Sequence, residues 1–276
     1  MSILLIDLHQ LFYANLMMNV KNNIELDENF FRHMVLNSIR MNRVKFKEKY
    51  GGETIIATDS WSWRRNVFPH YKANRKTEKD KSSFDWKEIH ISLDKIREEL
   101  KENFPYRVIN SPGAEADDII SWVCRNNKGK EILILSGDKD FVQLQTIRGI
   151  KQYDPVRKKF ISDSNPKQFL YEHILRGDSG DGIPNVLSDG DTFVSSNKRQ
   201  IPLTKKKLKE LDQINIEELE NFRRNRQLID LTYIPDDVMM NIEQEYNSQE
   251  GKDRSKMFNY FVQNRLRNLI GDIQDF

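Results

Sequence analysis

The sequence has a single cysteine, Cys124, so no disulfide can form within the chain. A lone thiol suits a small core residue in a reducing setting, and a cytoplasmic protein is expected. Long apolar runs are lacking too. The longest near the N-terminus is Ile3-Leu4-Leu5-Ile6, and Asp7 ends it. A membrane-spanning helix needs roughly 20 such residues, so no membrane association is expected. With no charged region ahead of that run, no signal peptide is expected. An excess of one charge is missing as well, since the net charge is only +2. The histidines (His9, His33, His70, His90, His173) match no metal-ligand or triad pattern and are assigned no chemistry. Internal repeats and low-complexity linkers are absent.

What is present is enough for a substantial core: 276 residues, 38% of them hydrophobic, make one large domain or two small ones. Charge is unevenly spread. Between Trp61 and Lys79 stand Arg64, Arg65, Lys72, Arg75, Lys76 and Lys79 against one acid, Glu78. Between Phe193 and Lys209 stand Lys198, Arg199, Lys205, Lys206, Lys207 and Lys209 with no acid. Local basic patches on a nearly neutral chain point to a polyanion bound in defined places.

Patterning predicts strands at Ser2–Leu8, Thr54–Asp59, Tyr106–Ile109, Glu131–Leu135, Ile150–Tyr153 and Lys159–Ile161. Helices are predicted at Phe30–Lys49, Ile89–Asn103 and from about Gly113. After about Asn165 the strands stop, and Lys167–Arg176, Leu203–Leu211, Ile216–Leu231 and Asp253–Leu269 read as helices. Strands alternating with helices imply an α/β fold with a mostly parallel central sheet flanked by helices. The expected division is an α/β core over 1–165, with a basic segment at about 61–88, and a helical region over 166–276.

The acids fall at strand ends and helix starts, the edge at which such sheets bind ligands. Asp7 ends the first strand and Asp59 the second. "GAEADDIISW" brings Glu115, Asp117 and Asp118 together where a helix begins. "SGDKDF" carries Asp138 and Asp140, and "LRGDSGDGIPN" carries Asp178 and Asp181. The helix dipole favours acids in a first turn by roughly 0.3–1 kcal/mol each, which accounts for one or two of the three in "EADD". Nine carboxylates in five segments raise one another's pKa unless cations compensate. No cysteine or histidine shares the acidic positions, so the donors are hard oxygens, suited to Mg²⁺ with Mn²⁺ able to substitute. Acid-rich sites holding two such ions perform phosphoryl-transfer and nuclease chemistry.

The ordered stretches "LLIDLHQL", "ATDS", "EADD", "SGDKDF" and "LRGDSGDGIPN" resemble the acidic motifs of the 5′-nuclease family, which includes flap endonucleases. "WRRNVFPHYKANR" resembles that family's aromatic–Arg pair followed by Pro-x-Tyr-Lys-x-x-Arg. "NRQLIDLTYIPDD" and "KMFNYFVQNRLRNLI" resemble its bacteriophage ribonuclease H branch, so the likeness spans nearly the whole chain. The resemblance implies a PIN/5′-nuclease-like fold with an arch over the active site at about Asn74 to Trp86.

The implied activity is Mg²⁺-dependent hydrolysis of phosphodiesters at 5′ ends of RNA·DNA hybrids and of branched or nicked DNA. Asp7, Asp59, Glu115, Asp117 and Asp138 would surround one metal. Asp140, Asp178 and Asp181, with Asp118, would serve the other. Lys72 and Arg75 would stabilise charge on the scissile phosphate, Arg64 would hold a phosphate, and Tyr71 would stack on a terminal base. Lys76, Lys198, Arg199, Lys205, Lys206 and Lys207 would contact nucleic acid. Replication proteins, a sliding clamp or a single-strand-binding protein, are the implied partners of a monomer. One departure stands out. "VLSDGDTFVSSNKRQIPLTKKK" replaces the Gly-rich, Lys-containing hairpin of many members, and Gly182 stands where Asn is usual.

Two other readings compete. A PIN-type ribonuclease or a DxD phosphatase needs fewer acids and no basic segment. A non-catalytic DNA-junction binder would not need the full acid set.

Overall fold

The computed structural model describes residues 2–19, 27–75, 84–211, 215–216 and 219–276. Lys76, and with it the 76–83 stretch of the expected arch, lies outside the described residues.

The sheet contains β1 (Ile3–Asp7), β2 (Glu53–Ala57), β3 (Arg107–Ile109), β4 (Ile132–Leu135), β5 (Ile150–Asp154) and β6 (Lys159–Ile161), in the order β3-β2-β1-β4-β5-β6. All neighbours are parallel except β5 and β6. The strand sequences explain this. ILLID and ILIL are buried along their whole length, as strands covered on both faces must be. Ile6 pairs with Ile56 on one side and Leu135 on the other, so β1 is central. The strand order reverses between β1 and β4, and ligands of such sheets bind at that switch, beyond the carboxyl ends.

The helices follow from local signals. Asp27 accepts the Phe30 N–H at 2.7 Å and starts Glu28–Tyr50, and Asp85 accepts the Glu88 N–H at 3.0 Å and starts Trp86–Asn103. Among the described residues no helix is long and apolar enough to cross a membrane. Two helices that patterning missed, Leu8–Asn19 and Asp236–Ser248, are present. The single helix expected over Asp253–Leu269 is instead two, Met257–Gln263 and Arg267–Ile270, interrupted where Arg265 takes a left-handed φ of 55°.

The chain forms two compact units, and both are discontinuous. Unit 1 comprises Met1–Trp61, Asp85–Ser162 and Asp236–Phe276; unit 2 comprises Ser62–Phe84 and Asp163–Pro235. This differs from a single boundary near residue 165. The physical reason is that the C-terminal segment completes the sheet's surroundings. Gln249 bonds both the N–H (3.0 Å) and the C=O (2.8 Å) of Val108, which closes the free edge of β3. Phe261 and Phe276 pack on Phe104. Unit 2 has its own core of Phe68, Tyr71, Ile174, Leu175, Ile183, Val186, Leu211, Phe222, Leu228 and Ile229.

Candidate metal centre and nucleic-acid interface

In unit 1 the acids gather because each strand end also starts a helix. Asp7 ends β1 and accepts the Gln10 N–H at 3.0 Å, capping Leu8–Asn19. Asp138 follows β4 and accepts the Asp140 N–H at 3.0 Å, starting the 3-10 turn Lys139–Thr146. Asp59 follows β2 and accepts the Ala116 N–H at 2.8 Å. Glu115 and Asp118 form a reciprocal capping box at the start of Ala116–Asn126, with the Glu115 N–H 2.9 Å from the Asp118 carboxylate.

Asp7 is buried. Its burial and the charges of Asp59 and Asp138 push its carboxyl up to about 7, against hydrogen bonds from Gln10 and Ser136. The charges of two other segments therefore reach Asp7 and oppose its ionisation. Asp117 and Asp140 are half-buried and Asp138 is exposed, so the group meets solvent on one side. Asp118 is fully buried at 0% exposure and shares the reciprocal capping box with Glu115, itself buried.

Residues that patterning missed hold this group. The Ser136 hydroxyl donates to Asp7 Oδ2 at 3.1 Å and accepts the Asp138 N–H at 3.1 Å. Gln152, buried on β5, donates to the Ser136 carbonyl at 2.9 Å and to the Asp138 carbonyl. Asn110 donates to the Thr58 hydroxyl and the Asp59 carbonyl, both at 2.9 Å. His9, assigned no chemistry from sequence, accepts the Asp59 N–H on Nδ1 at 3.2 Å. Only Ser136 carried a signal, its place in "SGDKDF"; the others join through the fold.

In unit 2 the acids are already partnered. Asp178 accepts the Gly180 N–H at 2.7 Å and the Asp181 N–H at 3.1 Å, an Asx-turn. His173 Nε2 lies 3.5 Å from its other oxygen. Burial works to raise the Asp178 carboxyl, but the His173 contact and the two N–H groups outweigh it and hold it below its ordinary value. Asp181 accepts the Tyr71 hydroxyl at 3.0 Å, meets Lys72 Nζ at 3.6 Å and pairs with Arg75. The Lys72 N–H donates to the Asp181 carbonyl at 2.8 Å, and Lys72 has a left-handed φ of 56°. Such a conformation costs a non-glycine residue about 1 kcal/mol or more, so the 178–183 loop imposes it.

Two expected nucleic-acid residues are placed otherwise. Tyr71 is 2% exposed within the apolar core of unit 2, so its ring is not available to stack on a base. Arg64 is also 2% exposed; its Nε donates to the Leu228 carbonyl at 2.8 Å, near the end of helix Glu220–Ile229. Lys198 bridges Asp189 at 3.0 Å and Asp191 at 2.7 Å. Arg199, Lys205 and Lys206 are exposed and Lys207 is half-buried at the start of helix Lys205–Leu211.

Comparison with known proteins places the chain in a family. Residues 2–172 match the family described as 5'-3' exonuclease, N-terminal resolvase-like domain, and residues 165–276 match T4 RNase H, C terminal. The chain is 31% identical to ribonuclease H of Enterobacteria phage T4 over 292 aligned positions, covering 100% of this chain and 96% of that one. It is 28% identical to flap endonuclease Xni of Shewanella woodyi over 188 positions, 63% of this chain and 69% of that one. Among solved structures, the bacteriophage T5 D15 flap endonuclease in complex with DNA and metal ions is similar in fold. Its TM-score is 0.63 at 18% identity, over 91% of this chain and 100% of that one. By its fold, its family match and its full-length relative, this chain belongs to the 5′-3′ exonuclease family and is a nuclease.

Proposed function

We propose that the chain hydrolyses phosphodiesters at 5′ ends, as an exonuclease on RNA·DNA and DNA duplexes and as a flap endonuclease. Its role would be removal of RNA primers and 5′ flaps during phage-type lagging-strand replication. The observation that carries this is the gathering of Asp7, Asp59 and Asp138 at the β1/β4 switch, where burial and then the charges of Asp59 and Asp138 push Asp7 up to about 7. Such a group is short of positive charge, and its donors are all carboxylate oxygens, which suits Mg²⁺.

In unit 1, Asp7, Asp59, Glu115, Asp117, Asp138 and Asp140, with Asp118, would serve metal, and in unit 2 Asp178 and Asp181 would. When bound, the ions supply an activated water and stabilise the leaving oxygen. The rest of the work falls to the chain. Asp118 keeps Glu115 and Asp117 at the start of their helix. Ser136 fixes Asp7 and Asp138 against each other. Lys72 and Arg75, aimed by Asp181, supply positive charge where the phosphate gains negative charge. Arg199, Lys205, Lys206 and Lys207 contact duplex phosphates from the helical region, which needs charge more than a motif. The protein acts as a monomer and meets replication proteins such as a sliding clamp or a single-strand-binding protein. Relatives named as a ribonuclease H and a flap endonuclease support this reading.

The test is incubation with a 5′-labelled flap and with an RNA·DNA hybrid, in Mg²⁺ or in chelator. Cleavage is expected only with Mg²⁺, releasing products with 5′-phosphates. Cleavage that persists in chelator, or none in Mg²⁺, overturns the reading.

A further inference from the structure

Unit 1 carries a basic feature that lies outside both basic stretches of the sequence. A cavity of about 590 Å³ opens between the first turn of helix Glu28–Tyr50, helix Trp86–Asn103 and the turn at 263–268. Arg32, Lys95, Arg265 and Arg267 line it, with Glu28 as its carboxylate. Glu28 is taken by Arg32 and by Lys95 at 2.7 Å, and Arg32 is taken further by Glu99 at 2.7 Å. Arg265 and Arg267 remain. Among the described residues, neither guanidinium has an ion-pair or hydrogen-bond partner.

The backbone singles out Arg265. Helix Met257–Gln263 ends with Leu266 N–H on the Phe261 carbonyl at 2.9 Å and Arg265 N–H on the Val262 carbonyl at 3.1 Å. That pair of bonds is a Schellman ending, whose left-handed position normally holds glycine. Here it holds an arginine at φ 55°. Glycine would relieve the backbone, so the side chain, not the turn, is what this position serves. Leu266, between the two arginines in the chain, is buried, while Arg265 and Arg267 are exposed.

We propose that this cavity binds the phosphate backbone of a single nucleic-acid strand, with Arg265 and Arg267 as its anion-binding groups. The identity of the polyanion rests on the nuclease reading above. Planar guanidinium forks match phosphate oxygens in pairs. A positive groove that follows the backbone is how single strands are held. The side-chain amides of Gln263 and Asn268, on the same turn, can meet the bases.

The experiment measures binding of a labelled single-stranded oligonucleotide and of a 5′ flap in chelator, across a salt series. The proteins are the unsubstituted chain, Arg265→Gly, Arg267→Ala and the double variant. The double variant should bind about tenfold more weakly at low salt. Its slope of log affinity against log salt should fall by about 0.7 for each phosphate that is no longer neutralised. Arg265→Gly should melt at a higher temperature than the unsubstituted protein, which separates weaker binding from weaker folding. Turnover at saturating flap in Mg²⁺ should not change. Unchanged affinity and slope in the double variant overturn the proposal. Inorganic phosphate alone is the second probe. If it raises the melting temperature of the unsubstituted protein while the oligonucleotide's affinity is blind to both arginines, the cavity takes free phosphate only and the nucleic-acid assignment fails. Failure of the nuclease reading shows separately, as absence of cleavage by the unsubstituted protein in Mg²⁺.

Discussion

The two units treat carboxylates in opposite ways. In unit 1, burial and then the charges of Asp59 and Asp138 push Asp7 up to about 7. In unit 2, Asp178 is held below its ordinary value and Asp181 is met by Tyr71, Lys72 and Arg75. Both sets come from short acidic motifs that look alike in sequence. The difference is supply of positive charge. The basic stretch 64–75 belongs to unit 2, so its acids are neutralised from within. The charges that act on Asp7 are those of other acids, which the proposed cations would offset.

The largest effect should come from removing the Asp7 carboxylate. Asp7→Asn should lower turnover by about 10³-fold or more, because it deletes an oxygen donor that a metal-dependent reaction relies on. The same change should make the metal-free protein more stable, since a buried, repelled charge is gone. A fall in both activity and stability would break the contrast between the units.

On the unit 2 side, Lys72→Ala should cut turnover by roughly 10²–10³-fold while flap affinity changes little. Single-turnover rates at saturating flap decide it. A fall in affinity with the rate on bound substrate intact would make Lys72 a binding residue.

Next is the support. Ser136→Ala removes the hydroxyl that joins Asp7 to Asp138, and metal affinity measured by calorimetry should drop about 10–100-fold. An unchanged isotherm would show that the acids hold their places without it.

The last effect is on stability against pH. Asp7 binds its proton more tightly folded than unfolded, where its value is 3.8. Its contribution is therefore complete below that pH and is lost as pH rises to about 7, by at most about 4 kcal/mol. Melting temperature without metal should decline through this window in the unsubstituted protein and decline less in Asp7→Asn. Mg²⁺ should flatten the slope, because metal binding replaces the proton. Identical slopes in the two proteins would refute the crowding.

The crowding that these changes probe was partly legible in the sequence. The strands announced themselves as apolar runs, and the acids at their ends fell where α/β sheets bind ligands. Thus the sheet, the switch-point carboxylates and the basic stretch were readable, since each is a short local pattern. The same local reading could not show that Glu115 and Asp118 cap their helix reciprocally, because both sit in one acidic run. Nor could it bury Tyr71 and Arg64, whose motif spacing is the same whether a side chain faces solvent or a core.

The sequence by itself determined which segments carry charge and which form strands, because propensity and alternation act over neighbouring residues. The tertiary structure decided which acids oppose one another, which are neutralised and which hold a helix in place. It also decided that Gln152 and Asn110 support the acids. Among the described residues, it left Arg265 and Arg267 unpaired beside a cavity. Those outcomes depend on distances between segments far apart in the chain, and electrostatic and hydrogen-bond energies fall steeply with such distances.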